Sequence, residues 1–289
     1  MNYSIKIIKA AAFFMAILLL GSACKKLSRP ALGDYPKDAN PPGGPLKFYA
    51  AFDGTTTNPL MNAVDSIRAN FPSSNPLTSV AGISGKAVQG KGLSGPAIKY
   101  PSANDLAKAS SFTMAFWEKE TGVPQSADGP QFVMSLFDKD YWHNSGIFLL
   151  FDHTGAGSTA DSAAVTLAIK DNWYVFHNKD RIPKIYDQQW HHLVFVYDET
   201  TSVLTTYVDG QALTGLSKDA TKNSGLTGPL NFNLANVSNL VIGGWNKHAG
   251  LDGPTDDWIK SFPGAIDQFR LYGKALSASE VQALYNSKL

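Results

Sequence analysis

The feature that most constrains the fold is a two-residue periodicity of apolar side chains, which recurs in short stretches from residue 47 onward. In SFTMAFWEKE, residues 111–120, the large apolar residues Phe112, Met114 and Phe116 occupy every second position. Successive side chains of a β-strand point to opposite faces, so this pattern predicts strands. Similar stretches are GIFLLFD, AAVTLAI, LVFVYDETTSVLTTYVDG, NLVIGGW and AIDQFRLYG. Many short strands joined by polar turns favour an all-β sandwich, formed by one domain over residues 47–289.

One helix is predicted with clear signals, at the C-terminus. Ser277 is a favourable N-cap residue and Glu280 stands three positions later, which is the capping-box pattern. At helical spacing, Val281, Leu284 and Tyr285 then share one face. We therefore expect a short amphipathic helix after the last strand.

The composition provides a sizeable core but no strong electrostatic field. Hydrophobic residues make up 44% of the 289 residues and charged residues 17%. Lysine and arginine number 25 against 24 aspartates and glutamates, so the formal net charge is +1. Such a balance gives no reason to expect a nucleic-acid partner. The chain has a single cysteine, so it cannot form an internal disulfide.

Residues 1–23 are predicted to be a signal peptide. Lys6 and Lys9 precede an apolar run over residues 10–20, which is too short to span a bilayer but matches the apolar core of a secretory signal. Small residues and then Cys24 follow, and this order resembles the signal of bacterial lipoproteins, although Gly21 stands where leucine is commoner. The resemblance implies cleavage before Cys24 and lipidation of that cysteine. The alternative is ordinary signal cleavage, which would leave an unpaired thiol.

Residues 24–46 are predicted to be a flexible tether, because they are polar and rich in proline and glycine. The signal resembles those of Bacteroidetes, which implies a lipoprotein of the Gram-negative outer membrane. Lys25 and Lys26 directly follow Cys24, and this basic start favours the periplasmic side. The cell surface stays open as the alternative location.

The adjacent histidines His191 and His192, in QQWHHLVFVYD, are interpreted as structural. In a strand they point to opposite faces and cannot bind one metal ion together. A metal site would need further ligands, and no spacing in the sequence indicates them.

Three stretches resemble a known family. They are SFTMAFWEK (residues 111–119), WHHLVFVYDETTSVLTTYVDGQAL (residues 190–213) and GAIDQFRLYGKALSASEVQALYN (residues 264–286). Together they resemble the laminin-G-like domains of the concanavalin A-like lectin/glucanase superfamily. The resemblance implies a jelly-roll β-sandwich of two facing antiparallel sheets. It also implies a structural calcium ion, held by the Asp267 carboxylate and by Asp53, chiefly through its backbone.

Glycoside hydrolases exist on this fold, so we searched for paired carboxylates, which retaining chemistry places about 5 Å apart. Glu118 with Glu120 and Asp138 with Asp140 each share one side of a predicted strand, but neither pair completes a Glu-x-Asp-x-Glu pattern. Surface charge is the favoured interpretation of both pairs. Lyases of the fold use histidine and tyrosine, and nothing in the sequence places Tyr141, His143 and His177 together. We therefore expect a protein that is not an enzyme.

Carbohydrate binding is the favoured function. Flat aromatic faces meet the C–H surfaces of sugars, and planar polar groups bind their hydroxyls. Four tryptophans lie in loop-like clusters that also contain Asn, Asp or His: Trp142, Trp173, Trp245 and Trp258. Trp142 with Asn144, and Trp245 with Asn246, are the first choices for contacts with a glycan.

Two alternatives to this interpretation stay open. Each loop tryptophan could instead pack as a lid over the edge of the sandwich. An exposed aromatic rim could equally bind an envelope protein, as in a structural or protein-interaction lipoprotein. A groove favours a glycan and a flat patch favours a protein.

Overall fold

The computed structural model describes residues 44–53, 75–223 and 225–288. The predicted signal peptide, Cys24 and the tether as far as residue 43 lie outside the described residues. The first strand begins at Leu46, one residue before the predicted start of the domain.

The secondary structure consists almost entirely of short strands, as the periodicity predicts. The strands are β1 Leu46–Ala50, β2 Thr78–Ala81, β3 Lys86–Gln89, β4 Ile98–Tyr100, β5 Phe112–Lys119, β6 Gln131–Asp138, β7 Ser145–Phe151, β8 Ser162–Ala163, β9 Val165–Ile169, β10 Asn172–Phe176, β11 Ile182–Pro183, β12 His191–Asp198, β13 Val203–Val208, β14 Gln211–Ala212, β15 Val237–Ile242, β16 Lys260–Ser261 and β17 Ala265–Tyr272. The α-helices are α1 Lys218–Thr221 and α2 Ala278–Ser287. Short 3-10 turns cover Asn104–Lys108, Ser126–Asp128, Trp142–Asn144, Thr154–Ala156, Asn178–Asp180 and Asn246–Ala249.

The strands form two main sheets. The first has eight strands in the order β14-β13-β12-β5-β17-β3-β2, with β1 also paired to β17. The second has seven strands in the order β10-β9-β7-β6-β15-β4, with β16 added beside β6. β8 and β11 form a separate two-stranded sheet. Among the pairings of the described strands, only β16 with β6 is parallel.

The alternation along β5 shows how the sheets enclose the core. Phe112, Met114 and Phe116 belong to the main apolar cluster, which also includes β6, β7, β9 and β12 side chains. The intervening Ala115 belongs to a second cluster, with Val281 of α2. β5 is therefore covered on both faces, because the seven-stranded sheet packs on one face and α2 packs on the other.

The C-terminal helix begins where the capping box predicts. The Glu280 amide donates to Ser277 Oγ, and the Ser277 amide donates to the Glu280 carboxylate at 2.9 Å. Val281 is fully buried, and the Tyr285 ring stacks on Trp117 with 5.5 Å between centroids. The predicted all-β jelly-roll sandwich of two antiparallel sheets with a short C-terminal helix is confirmed. No described helix has both the length and the apolar character needed to cross a bilayer.

Candidate functional site

The four loop tryptophans, far apart in sequence, come together around Trp142. Its ring centroid lies 5.3 Å from that of Trp173, 5.3 Å from that of Trp245 and 6.4 Å from that of Trp258. They gather against Phe148 and its neighbours in an apolar cluster that is separate from the main core. This cluster covers the face of the seven-stranded sheet that points away from the eight-stranded sheet.

We call the accessible part of this cluster the aromatic patch and define it as Trp142, Trp173 and Trp258. Trp173 is 40% exposed and Trp258 is 43% exposed, while Trp142 between them is half-buried. The planes of Trp142 and Trp258 are within 23° of each other, whereas Trp173 is tilted by 58° to Trp142. The patch therefore offers two indole faces in similar orientation and a third at an angle.

Trp245 forms the floor of the patch, which corrects the expectation that it offers a face to a ligand. Its side chain is fully buried, and its ring stacks on Phe132 at 4.2 Å. The reason is the preceding glycine pair. Gly243 has a φ of +85°, and a Cβ atom at Gly244 would lie 2.8 Å from the Ala97 Cβ. These two residues return the chain across the sheet directly after β15, so the indole packs against β6.

Asn246 is also buried, and its carboxamide is occupied within the protein. Its Nδ2 donates to the carbonyl oxygens of His143 at 3.1 Å and Asn144 at 2.8 Å, and its Oδ1 accepts from Ser135 Oγ at 2.9 Å. His143 and Asn144 have φ values of +51° and +58°, which non-glycine residues rarely adopt. Asn246 therefore holds the loop that carries Trp142, and the expectation of a direct contact with a ligand is corrected.

Two polar groups beside Trp142 are placed for contact with a ligand. The half-buried Asn144 carboxamide forms no hydrogen bond with other described side chains or backbone groups. Asp171 is exposed, and its Oδ1 accepts the Trp142 amide at 2.8 Å. The sequence did not single out Asp171, because a carboxylate between strands reads as an ordinary turn residue.

Asp267 and Asp53 approach each other beneath the turn between β2 and β3. Asp267 Oδ2 accepts the Ile83 amide at 2.9 Å, and Asp53 Oδ1 accepts the Lys86 amide at 3.0 Å. Asp267 is fully buried, and its Oδ1 has no hydrogen-bond partner in the part of the chain that the structure describes. A Cβ atom at Gly82 would lie 2.4 Å from Asp267 Oδ2, so only glycine allows this close approach.

This pair fits a calcium ion in part. Burial raises the pKa of Asp267 to about 7, and the nearby Asp53 acts in the same direction. A buried, unpartnered carboxylate oxygen is what a hard cation would satisfy, together with backbone carbonyls. Across residues 44–53, 75–223 and 225–288, however, no three His, Cys, Asp or Glu side chains are grouped to hold a metal.

Glu118, Glu120 and Asp138 are buried, which corrects their interpretation as surface charge. Glu118 is fully buried and Glu120 is 1% exposed, and both continue the inward-facing positions of β5. Neither Glu118 carboxylate oxygen has a hydrogen-bond partner. Burial raises the pKa of Glu120 to about 8 and raises the pKa of Glu118 well above its ordinary value.

The two adjacent histidines occupy different surroundings, as their alternation along β12 predicts. His191 Nδ1 lies 2.9 Å from Asp209 Oδ2, and its Nε2 lies 3.0 Å from Asp187 Oδ1. Burial opposes the charged imidazole, but these two carboxylates outweigh it and raise the pKa of His191. His192 instead lies beside Trp117, and burial lowers its pKa to about 3.

Comparison with known families identifies the domain. Residues 93–282 match the model of the laminin-G family Laminin_G_3, described as the concanavalin A-like lectin/glucanases superfamily. This match covers well over half of the chain. A comparison with curated proteins gives no match.

Solved structures share the fold at low sequence identity. Domain 4 of an extracellular arabinanase from Geobacillus stearothermophilus, in complex with arabinotriose, aligns with a TM-score of 0.51 and 16% identity over 83% of this chain and 98% of that one. A botulinum neurotoxin type C chain, whose cell entry depends on two ganglioside molecules, aligns at 0.51 and 12% over 85% of this chain and 51% of that one. The binding domain of Paraclostridial Mosquitocidal Protein 1 aligns at 0.50 and 17%, over 84% and 52%.

Proposed function

The chain belongs to the concanavalin A-like lectin/glucanases superfamily, and we propose that it is a non-catalytic protein that binds a glycan on the aromatic patch. The observation that carries the proposal is the convergence of Trp142, Trp173 and Trp258 on one face, with two of the three indoles about 40% exposed. A contiguous group of exposed aromatic side chains on a protein surface typically marks an interaction site. The arabinotriose complex of the arabinanase domain supports a carbohydrate as the ligand class.

Binding would proceed by stacking and by a few hydrogen bonds. Sugar rings present apolar C–H faces that pack on indoles, and the nearly parallel Trp142 and Trp258 would take successive rings of a chain. The Asn144 carboxamide belongs to the loop that carries Trp142, the Asp171 carboxylate accepts a hydrogen bond from that loop, and both would bind hydroxyl groups. Trp245 would act from below, by supporting Trp142.

The absence of catalysis is part of the proposal. Glu118 belongs to β5 and Glu120 directly follows the last residue of that strand, and both are buried. Of the two, only Glu120 lines a cleft, so the pair does not flank a glycosidic bond from two sides as a retaining hydrolase requires. Asp138 is buried beside β7, and its exposed neighbour Asp140 accepts a hydrogen bond from Asn236 at 2.6 Å.

The location and the calcium ion complete the proposal. We place the protein on the outer membrane of a Gram-negative bacterium of the Bacteroidetes type, anchored through lipid on Cys24, with the periplasmic side favoured. Many anchored copies would raise the avidity of a weak single site. A calcium ion at Asp267 and Asp53 would hold the turn between β2 and β3 and would have a structural role.

The direct test is a glycan array on the full chain, followed by titration of the best ligand. We expect Trp142→Ala and Trp258→Ala each to lower the affinity at least tenfold, because each removes a stacking platform. The control is Leu234→Ala, which removes another large apolar side chain that is 52% exposed. If the folded protein binds no glycan, the patch is instead an envelope-protein interface, and co-purification would identify the partner.

The calcium ion is tested by thermal unfolding with and without a chelator. We expect a chelator to lower the thermal stability of the wild type and to leave Asp267→Ala unchanged. Equal effects of the chelator on both proteins would show that Asp267 is not a ligand of the ion.

Asn246→Ala tests whether this residue positions the patch. We expect it to weaken glycan binding about tenfold without touching the ligand, because His143 and Asn144 lose the donor that holds their unusual backbone. Leaving two buried carbonyls and a hydroxyl without this partner should also cost about 1–3 kcal/mol of folding free energy. The matched variant Asn144→Ala should weaken binding with little change in stability. Unchanged binding in a destabilised Asn246→Ala would limit Asn246 to a structural role.

A further inference from the structure

A concave region, separate from the aromatic patch, lies at the ends of strands in the eight-stranded sheet. A cleft of about 500 Å³ opens between the ends of β2, β3, β5 and β17 and the segment that precedes β12. The register places Lys119 of β5 opposite Ala265 of β17, and Ala265 opposite Gln89 of β3. Trp190 lies on the other side of the cleft, directly before β12, and this residue is partly exposed. The volume is within the range of small-ligand sites.

The wall of this cleft contains a polar atom that the protein does not satisfy. Glu120 lines the cleft, and its side chain is 1% exposed. Its Oε2 accepts the Thr121 amide at 2.9 Å, but its Oε1 has no hydrogen-bond partner among the described residues. A buried polar group without a partner costs about 1–3 kcal/mol, and a ligand that supplies a hydrogen-bonding group would remove this cost.

An adjoining cleft repeats the same feature. It has a volume of about 300 Å³ and shares Thr121 with the first cleft. Gln131 of β6 lines it, is 6% exposed, and its Oε1 also has no hydrogen-bond partner. Each of these two clefts, which share Thr121, is therefore lined by one residue that carries a buried oxygen without a partner among the described residues.

The other groups of the first cleft define the chemistry of its ligand. Three of the lining residues, Gln89, Gln188 and Gln189, carry planar carboxamides, Trp190 carries an indole, and Lys119 is the one charged cation in the lining. Burial keeps the Glu120 carboxyl largely protonated at neutral pH, since its pKa rises to about 8, so this group both donates and accepts. Neutral carboxamides, a neutral carboxyl and one aromatic face match the hydroxyls and C–H face of a sugar.

We propose that the two clefts form a second carbohydrate site, in which a sugar ring packs on Trp190 and hydrogen-bonds Glu120 while the chain continues over Thr121 towards Gln131. The ligand class is a short neutral oligosaccharide. The proposal extends the proposed function by adding a second point of contact for the same class of ligand. It rests on different residues from the aromatic patch, so either site can fail alone.

The experiment is fluorine NMR on the full chain labelled with 5-fluorotryptophan, in which the six tryptophans report separately. The probes are arabinotriose, cellotriose, chitotriose and sialyllactose. We expect at least one neutral trisaccharide to shift the Trp190 signal saturably. The shift should persist in the double variant Trp142→Ala/Trp258→Ala and vanish in Trp190→Ala.

The remaining outcomes separate the two sites. If only the patch signals move, the second site is wrong and the proposed function stands. If only the Trp190 signal moves, the second site stands and the patch proposal is wrong. If no tryptophan signal moves with any probe, both are wrong.

A pair of matched substitutions tests the role of Glu120. Glu118→Met and Glu120→Met each remove a buried carboxyl with an unpartnered oxygen, but only Glu120 lines the cleft. We expect both variants to fold with unchanged or higher melting temperature, because an apolar group of similar shape replaces an unsatisfied one. Only Glu120→Met should weaken sugar binding at Trp190, by about tenfold. Equal affinities in the two variants would overturn the assignment of Glu120.

Discussion

Replacing Trp245 by alanine is expected to lower the free energy of unfolding by about 3–5 kcal/mol, as is usual for the loss of a large buried aromatic side chain. The Trp245 indole is fully buried, and its ring centroid lies 4.2 Å from that of Phe132 and 5.1 Å from that of Phe148. Its removal would leave a cavity between the sheet and Trp142 that the strands cannot close. The aromatic patch would then lose the ring beneath it, in addition to the loss of folding free energy by the protein.

Urea unfolding followed by circular dichroism measures this effect. The matched control is Trp173→Ala, since Trp173 belongs to the same cluster but is 40% exposed, and we expect it to change stability by less than about 1 kcal/mol. Trp245→Phe should recover part of the loss, because a smaller aromatic ring refills much of the space. A Trp245→Ala protein as stable as Trp173→Ala would contradict the buried position of Trp245.

The free energy of unfolding is expected to fall as the pH rises from about 4.5 to 8, because of Glu118 and Glu120. Burial raises the pKa of both groups, for Glu120 from 4.5 to about 8, so the folded state holds protons that the unfolded chain releases. A raised carboxyl pKa makes a contribution that is complete below the unfolded pKa and lost as the pH rises through the folded one. For Glu120 alone the loss is on the order of 3–5 kcal/mol.

The charged groups around this pair act in both directions. Glu118 faces Asp187 and Asp209, and each of these negative charges adds to its raised pKa. His191 hydrogen-bonds the same two aspartates and has a raised pKa, so its contribution to stability is also lost as the pH rises through that pKa. Asp209 has a lowered pKa despite its burial, because His191 and Lys184 bind it, and its contribution is lost in acid instead.

Burial lowers the pKa of His192 to about 3 and that of His248 to about 4, so their contributions grow as the pH rises towards 6.5 and offset part of the loss from the glutamates. The net fall in stability should therefore be steepest between about pH 6.5 and 8.

Thermal unfolding from pH 4 to 9 tests this profile. We expect Glu118→Gln and Glu120→Gln each to flatten the descent, since a carboxamide cannot ionise, and the double variant to flatten it most. Glu199→Gln is the control, because Glu199 is a partly exposed acid whose carboxylate accepts a hydrogen bond from Ser110. A stability that rises between pH 5 and 8 in the wild type would contradict the burial of the pair.

Local sequence patterns predicted the elements of the fold but not the depth at which their side chains lie. The alternation along β5 identified Phe112 and Phe116 as one face, and the same parity extends to Glu118 and Glu120. Their charge suggested solvent exposure. The structure buries them because this face of β5 points towards the core beneath the seven-stranded sheet, whose residues are distant in the chain.

The loop tryptophans show the same division. The sequence indicated that four tryptophans with polar neighbours form a set, and the structure does bring all four together. The sequence could not indicate that Trp245 lies beneath the others, or that Asn246 donates hydrogen bonds to the backbone of His143 and Asn144. Those roles depend on where the Gly243 turn returns the chain over β6.

By itself, then, the sequence determined the strand-rich fold, the C-terminal helix with its Ser277 cap, and the family, because each of these depends on residues close together in the chain. Only the tertiary structure decided which side chains are exposed. Burial depends on what packs above a face, and sheet order brings those partners from distant segments. The same reason explains why the clefts beside Glu120 and Gln131 have no signature in the sequence: their walls are assembled from the ends of separate strands.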